Sequence, residues 1–316
     1  MSRTPSPAGA GVERIGQVAL GLLWLVDGAL QFQPYMFGST FVTGVILPAS
    51  HGQPAIIGGP IVWMAGLVGP HVALFNAGAA TLQVLIGLGL LYRPTVRVSL
   101  VASFMWASAI WFAGEGFGMI FAGTASPLTG APGAASLYVV AGLLCWPVEG
   151  TVHERTRDVA VRWSWSAIWL GATMLWLLPA NDGAASVHDA IASAPSGAGW
   201  LSGTLAFVAR AATGCGTMIA LALAAASLAI GISLLYRRHT RICLGLAIVV
   251  SVGYWIVGQG LGGVLTGQAT DPGTAPLMIL IASLLLARER TRGLSEVSSE
   301  TSRGEWRRSQ HACATS

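Results

Sequence analysis

The sequence predicts an all-α membrane protein of eight transmembrane helices, built as two tandem parallel four-helix repeats with both termini cytoplasmic and short interfacial helices on the outer face. Three observations carry this prediction. The 316-residue chain is 53% hydrophobic and only 9% charged, whereas about a quarter of the residues in a globular domain are charged. Its apolar residues gather into eight runs, and about 20 apolar residues suffice to cross a hydrocarbon core of roughly 30 Å as helix. Finally, the basic residues segregate to one side of those runs, and parts of the chain repeat.

Residues 1–14 form a short segment rich in Ser, Pro, Gly and Ala, with no Ala-x-Ala-like cleavage pattern, so the first apolar run is expected to stay as a helix. The spans run from Ile15 to Phe32, Pro70 to Tyr92, Val96 to Phe121, Ala134 to Val148, Trp163 to Pro179, Gly214 to Tyr236, Ile242 to Leu265 and Ala275 to Ala287. The fourth and eighth are short. Between the first two spans, Gly38 to Gly69 has no formal charge, contains prolines and carries Trp63, which suits short helices at the outer interface. Asp182 to Thr213 is its counterpart, more polar through His188, Asp189 and Arg210 but again carrying a tryptophan, Trp200. The repeats therefore occupy 15–150 and 151–288, and the Ser/Glu/Arg-rich tail 289–316 is expected to be disordered in the cytoplasm.

Arginine placement was free to disagree with these spans, yet it segregates. One side holds Arg3, Arg14, Arg93, Arg97, Arg155, Arg157, Arg162, Arg237, Arg238, Arg241 and the tail from Arg288 to Arg308; the other holds only Arg210. The positive-inside rule then makes both termini cytoplasmic in a multi-pass protein of a bacterial cell (inner) membrane. All 17 basic residues are arginine, and without a basic run interleaved with aromatics they point to the bilayer surface rather than to nucleic acid.

The repeat is legible directly. Gly87-Leu-Gly-Leu-Leu-Tyr-Arg93 recurs as Gly231-Ile-Ser-Leu-Leu-Tyr-Arg237, and Trp111-Phe-Ala-Gly-Glu-Gly-Phe-Gly118 as Trp255-Ile-Val-Gly-Gln-Gly-Leu-Gly262, at one offset. An even number of spans per copy gives both copies the same orientation.

Ionisable residues inside spans are costly and mark candidate sites. Asp27 lies in the outer part of the first span, with Trp24 and Gln31 on the same helical face. Glu115 lies near the outer end of the third span, one turn after Trp111. The second span contributes His71, Asn76 and Gln83. In the second copy these positions become neutral or lose their polarity: Glu115 becomes Gln259, Asp27 becomes Ala172, Gln31 becomes Trp176, Gln83 becomes Ser227 and His71 becomes Cys215. The first copy alone is thus expected to hold a ligand- or proton-binding site. Two carboxylates in one cavity would repel each other and lose their hydration, which is expected to raise at least one pKa toward neutrality and make a proton-handling site. The plainer reading is that Asp27 and Glu115 reach headgroup water or cap nearby backbone groups. Gly114 and Gly118, like Gly258 and Gly262, are spaced for close helix approach rather than as a phosphate loop, which would follow a strand.

The four cysteines, Cys145, Cys215, Cys243 and Cys313, include no CxxC pair and no histidine at zinc spacing, so no metal site is expected. No resident cofactor is expected either.

Each half resembles the DoxX-like group of small bacterial membrane proteins. The resemblance rests on Trp24-Leu-Val-Asp-Gly-Ala-Leu-Gln-Phe-Gln-Pro-Tyr-Met-Phe37, on Trp111 to Gly123, and on Trp255 to Pro272, and the whole of Ile15 to Ala287 is similar to a duplicated form found in uncharacterised actinobacterial membrane proteins. It implies quinone-linked or thiol-linked redox partners. The chain offers no cysteine pair, haem-type histidine pair or flavin motif to carry electrons. The expected function is a non-enzymatic binding or accessory subunit whose outward-facing polar pocket takes a small apolar ligand or a partner membrane protein. The alternatives are a proton-coupled transporter and a redox-chain component holding quinone between Trp24, Trp111 and His71.

Overall fold

The computed structural model describes residues 7–148, 151–237 and 239–291; Arg3, Arg238, Cys313 and the tail after residue 291 lie outside them. Every regular element among the described residues is helical. In chain order the main helices are α1 (Pro7–Leu30), α2 (Ala55–Val68), α3 (Val72–Leu91), α4 (Val96–Ala113), α5 (Ala134–Leu144), α6 (Thr151–Trp176), α7 (Ser186–Ala192), α8 (Gly199–Ala212), α9 (Gly216–Tyr236), α10 (Thr240–Gly253) and α11, over 274–291.

Among the described residues four helical runs are long and apolar enough to cross a membrane: Ala55–Leu91, Arg93–Ala113, Gly216–Tyr236 and Thr240–Gly258. The first joins α2 to α3 through the turn Gly69–His71. Pro70 does not interrupt it, because proline fits the first turn of a helix, where its missing N–H costs nothing. The irregular backbone falls instead on His71 (φ −127°, ψ 26°). Helices α1 and α6 are also long, but they carry ionisable residues within their length, among them Asp27 and Arg162.

The polarity of the bundle is reversed relative to a protein in water. Leu74, Val98, Met105, Met218, Ile242 and Val249 are exposed, while Asn76, Gln83, Ser103, Ser227 and Ser251 are buried. Large apolar residues facing outward all along helices suit a lipid solvent, where only internal partners can satisfy polar groups. One apolar core runs through both halves of the chain, with Leu20, Leu100 and Leu137 from the first and Trp165, Ile230, Leu244 and Ile281 from the second.

Glycine lets α1 and α3 close on each other. A Cβ on Gly21 would stand 2.9 Å from the Gly87 carbonyl, and one on Gly87 2.8 Å from the Gly21 carbonyl. At the adjacent end Arg14 caps α3 by donating to the carbonyls of Leu90 and Leu91, a favourable cation at a helix C-terminus. Beside it, Arg157 pairs with Glu13 at 2.9 Å and donates to the Trp146 carbonyl, while Arg288 reaches Asp158 at 3.4 Å and donates to the Leu144 carbonyl. This ionic knot joins α1, α5, α6 and α11. Burial pushes the Glu13 carboxyl above its usual range, although Arg157 opposes the shift.

Candidate functional site

The site begins on α1, where a turn-by-turn spacing puts Trp24, Asp27 and Gln31 on one face. That face lines a cavity of about 180 Å³. Helix α3 adds Phe75 and Gln83, α4 adds Trp106, and α5 adds Tyr138. Trp24 is fixed by donating its Nε1–H to Ser103 Oγ at 2.9 Å and by packing on Tyr138, their rings 4.1 Å apart. Asn76 does not line the cavity; it is fully buried and donates to the Gln31 backbone carbonyl at 2.7 Å. That carbonyl is freed because α1 ends at Leu30.

Glu115 reaches the same cavity by a sharp reversal of the chain. Beyond α4 the backbone turns left-handed at Gly116, Phe117, Gly118 and Met119, which glycine makes affordable. The Glu115 carboxylate then accepts the N–H of Ala135 at 3.0 Å, at the start of α5. An acid there meets the positive end of the helix dipole. Gly133, just before α5, has φ 104°, and a Cβ on it would stand 2.1 Å from Glu115 Oε2. Trp111 lies outside the cavity and braces this turn, donating to the Pro132 carbonyl at 2.7 Å.

A third carboxylate, not among the sequence candidates, comes from the second half. Asp271 lines the cavity with Asp27 and Glu115, and the three are close enough to repel one another. Its loop is tied to the end of α1 by Gln33, which donates to the Ala269 carbonyl at 3.0 Å. Asp271 accepts the N–H of Gly273 and the hydroxyl of Thr270. Burial still pushes its carboxyl above the usual range.

Glu115 and Asp271 also line a second cavity of about 430 Å³, which Gln259, Thr274 and Ser126 share. The two acids therefore stand in the wall between this polar vestibule and the inner cavity, where Asp27 lies. In the inner cavity Asp27 Oδ1, Gln31 Oε1 and Gln83 Oε1 are buried without a hydrogen-bond partner, as are Trp106 Nε1 and the Tyr138 hydroxyl. Tyr138 lies within electrostatic range of Asp27, but the two do not meet in a hydrogen bond of ordinary geometry.

His71 is exposed on the joint between α2 and α3, away from both cavities. Trp24, Trp111 and His71 are therefore not gathered around one space. In the second half, Trp176, the last residue of α6, is buried and donates to the hydroxyl of Tyr254, just beyond α10, at 3.0 Å. Gln259 accepts the N–H of Thr274 at 3.0 Å, and Trp255 donates to the Pro272 carbonyl at 2.8 Å. Among the described residues no group of His, Cys, Asp and Glu could hold a metal ion. Compared with family models, with characterised proteins and with solved structures, the chain matches none.

Proposed function

We propose that the protein is a multi-pass cell-membrane protein of two tandem, DoxX-like four-helix repeats, eight spans in all, with cytoplasmic termini, and that it acts as a binding or accessory subunit. Its ligand site is the cavity around Asp27. The repeat reading is supported by features that recur in pairs. Trp111 and Trp255 each brace a Pro-Gly step. Glu115 and Gln259 each accept a backbone N–H at the next helix start. The same left-handed turn follows each of them, at Gly116 to Gly118 and Gly260 to Gly262. The orientation is supported by Arg14, Arg157 and Arg288 meeting at one end of the bundle.

One observation carries the binding reading: Asp27, Gln31 and Gln83, each at least nine-tenths buried and each with an unpartnered acceptor oxygen, all line one cavity. Buried polar atoms are nearly always satisfied, and a cavity with a few convergent unpaired polar groups is the usual form of a small-molecule site. The test is native mass spectrometry of protein extracted from its own membrane, beside an Ala79→Phe variant whose added ring occupies the cavity. A bound small molecule on the parent and none on the variant is expected; ligand-free parent protein, stabilised by no compound in a broad screen, would refute the reading.

A second reading, a proton-coupled transporter, is favoured by Glu115 and Asp271 lining both cavities in series. Proton uptake into reconstituted vesicles driven by a solute gradient, abolished by Asp27→Asn, is its signature.

A further inference from the structure

We infer that the ligand of the inner cavity is a small organic cation, a single ammonium group on an apolar body about the size of a phenyl ring. The inference deepens the binding reading above and rests on it. The charge requirement comes from the lining. Asp27, Glu115 and Asp271 all line this cavity, and among the described residues no arginine, histidine or lysine lines it or the vestibule. Each acid of the ionic knot at the other end of the bundle has a guanidinium against it, Glu13 with Arg157 and Asp158 with Arg288. The cavity acids have none, and a buried carboxylate without a cation is costly.

The unpartnered groups point the same way. Besides Asp27 Oδ1, the oxygens of Gln31 and Gln83 are left over, against two unpartnered groups that can donate, Trp106 Nε1 and the Tyr138 hydroxyl, so acceptors outnumber donors among the leftover atoms of the lining residues, and an ammonium can donate up to three hydrogen bonds. The rest of the wall is apolar and aromatic, including Trp24, Phe41, Phe75 and Trp106. Aromatic faces attract a cation at close range and exclude water around it. The size follows from the volume: a dry apolar cavity of about 150 Å³ admits benzene, so about 180 Å³ takes a ring and a short amine arm. Glu115 and Asp271, in the wall toward the vestibule, give an entering cation an acidic threshold before it reaches Asp27.

The full-length protein in nanodiscs, titrated by calorimetry with phenylethylammonium, 2-phenylethanol and phenylacetate, tests this. These probes share a ring and differ in charge. The ammonium is expected to bind roughly 30-fold or more tighter than the alcohol, the scale of a lost buried charge partner, and the carboxylate is expected not to bind. Asp27→Asn should bring the ammonium down to the alcohol's affinity and leave the alcohol unchanged. Should that variant not fold, Glu115→Gln, the residue type found at position 259, should weaken the ammonium about tenfold while sparing the alcohol. Alcohol and ammonium binding equally, or the carboxylate binding best, would overturn the cationic ligand and leave the cavity reading intact. No probe binding, to either the parent or Ala79→Phe, would overturn both.

Discussion

Gly133 offers a sharp test of how Glu115 is held. Its backbone (φ 104°, ψ 145°) lies near a region that is almost exclusive to glycine, and placing alanine there costs about 2 kcal/mol. The new Cβ would also meet Glu115 Oε2 at 2.1 Å, so the carboxylate must leave the Ala135 N–H. A charge-assisted hydrogen bond of that kind contributes about 1.5–3 kcal/mol. Gly133→Ala should therefore cost about 3.5–5 kcal/mol in the parent. In a Glu115→Ala background only the backbone term remains, about 2 kcal/mol. Reversible unfolding of the four proteins in mixed detergent, followed by tryptophan fluorescence, gives the coupling, because the second mutation removes the side chain the first one displaces most, the other close neighbour, Trp111 at 3.3 Å, being common to both backgrounds. Equal costs of Gly133→Ala in both backgrounds would show that Glu115 does not sit against Gly133, and the reasoning would fail.

Four further outcomes are expected. Arg157→Met removes the cation against Glu13 from a site where the Arg157 side chain is 8% exposed; the unfolding midpoint should fall by the equivalent of about 2–4 kcal/mol. Because the folded-state Glu13 carboxyl titrates above its ordinary value, the folded state binds its proton more tightly, and that stability is present below the unfolded pKa and lost as pH rises through the folded one. The parent should thus lose stability relative to Glu13→Gln between acid and neutral pH, in paired melts; a parallel pair of curves would contradict this. Trp176→Ala leaves a void and a partnerless Tyr254 hydroxyl, and should cost about 3–5 kcal/mol in the same unfolding assay. Gln33→Ala cuts the tie to Ala269 at a global cost of about 1 kcal/mol, with hydrogen exchange accelerated chiefly over 267–273.

Much of the helical framework was legible in the sequence because lipid imposes a coarse rule: apolar length makes a span, and polar residues within it face inward. Asp27, Trp24 and Gln31 were legible for the same reason, since helical spacing alone puts them on one face. Asp271 was not. It lies in a loop, outside any periodic segment, and the constant offset between the recurring stretches sets it opposite Pro127, whereas the matching Trp-to-Pro hydrogen bonds set it opposite Ala131. The Trp-to-Pro stretch is shorter in the second half, which hides that match from a gapless comparison. Glycine spacing alone points to the wrong contact. Gly118 and Gly262 serve left-handed turns and approach loop backbone, Pro132 and Pro272, while the close helix approach falls to Gly21 and Gly87. His71 was misplaced because sequence marks a polar residue near a span end without saying which way that end faces.

The loop tied down by Gln33 bears on how such a chain could be taken apart. Its acid belongs to one half of the sequence and most of its cavity to the other, so, on the proposed repeat reading, two copies of residues 15–150 associated as a homodimer would lack the third carboxylate. Expressed as two separate polypeptides, the halves should complement each other only as an unlike pair. On the repeat reading proposed above, restoring symmetry would take the third acid out of the cavity.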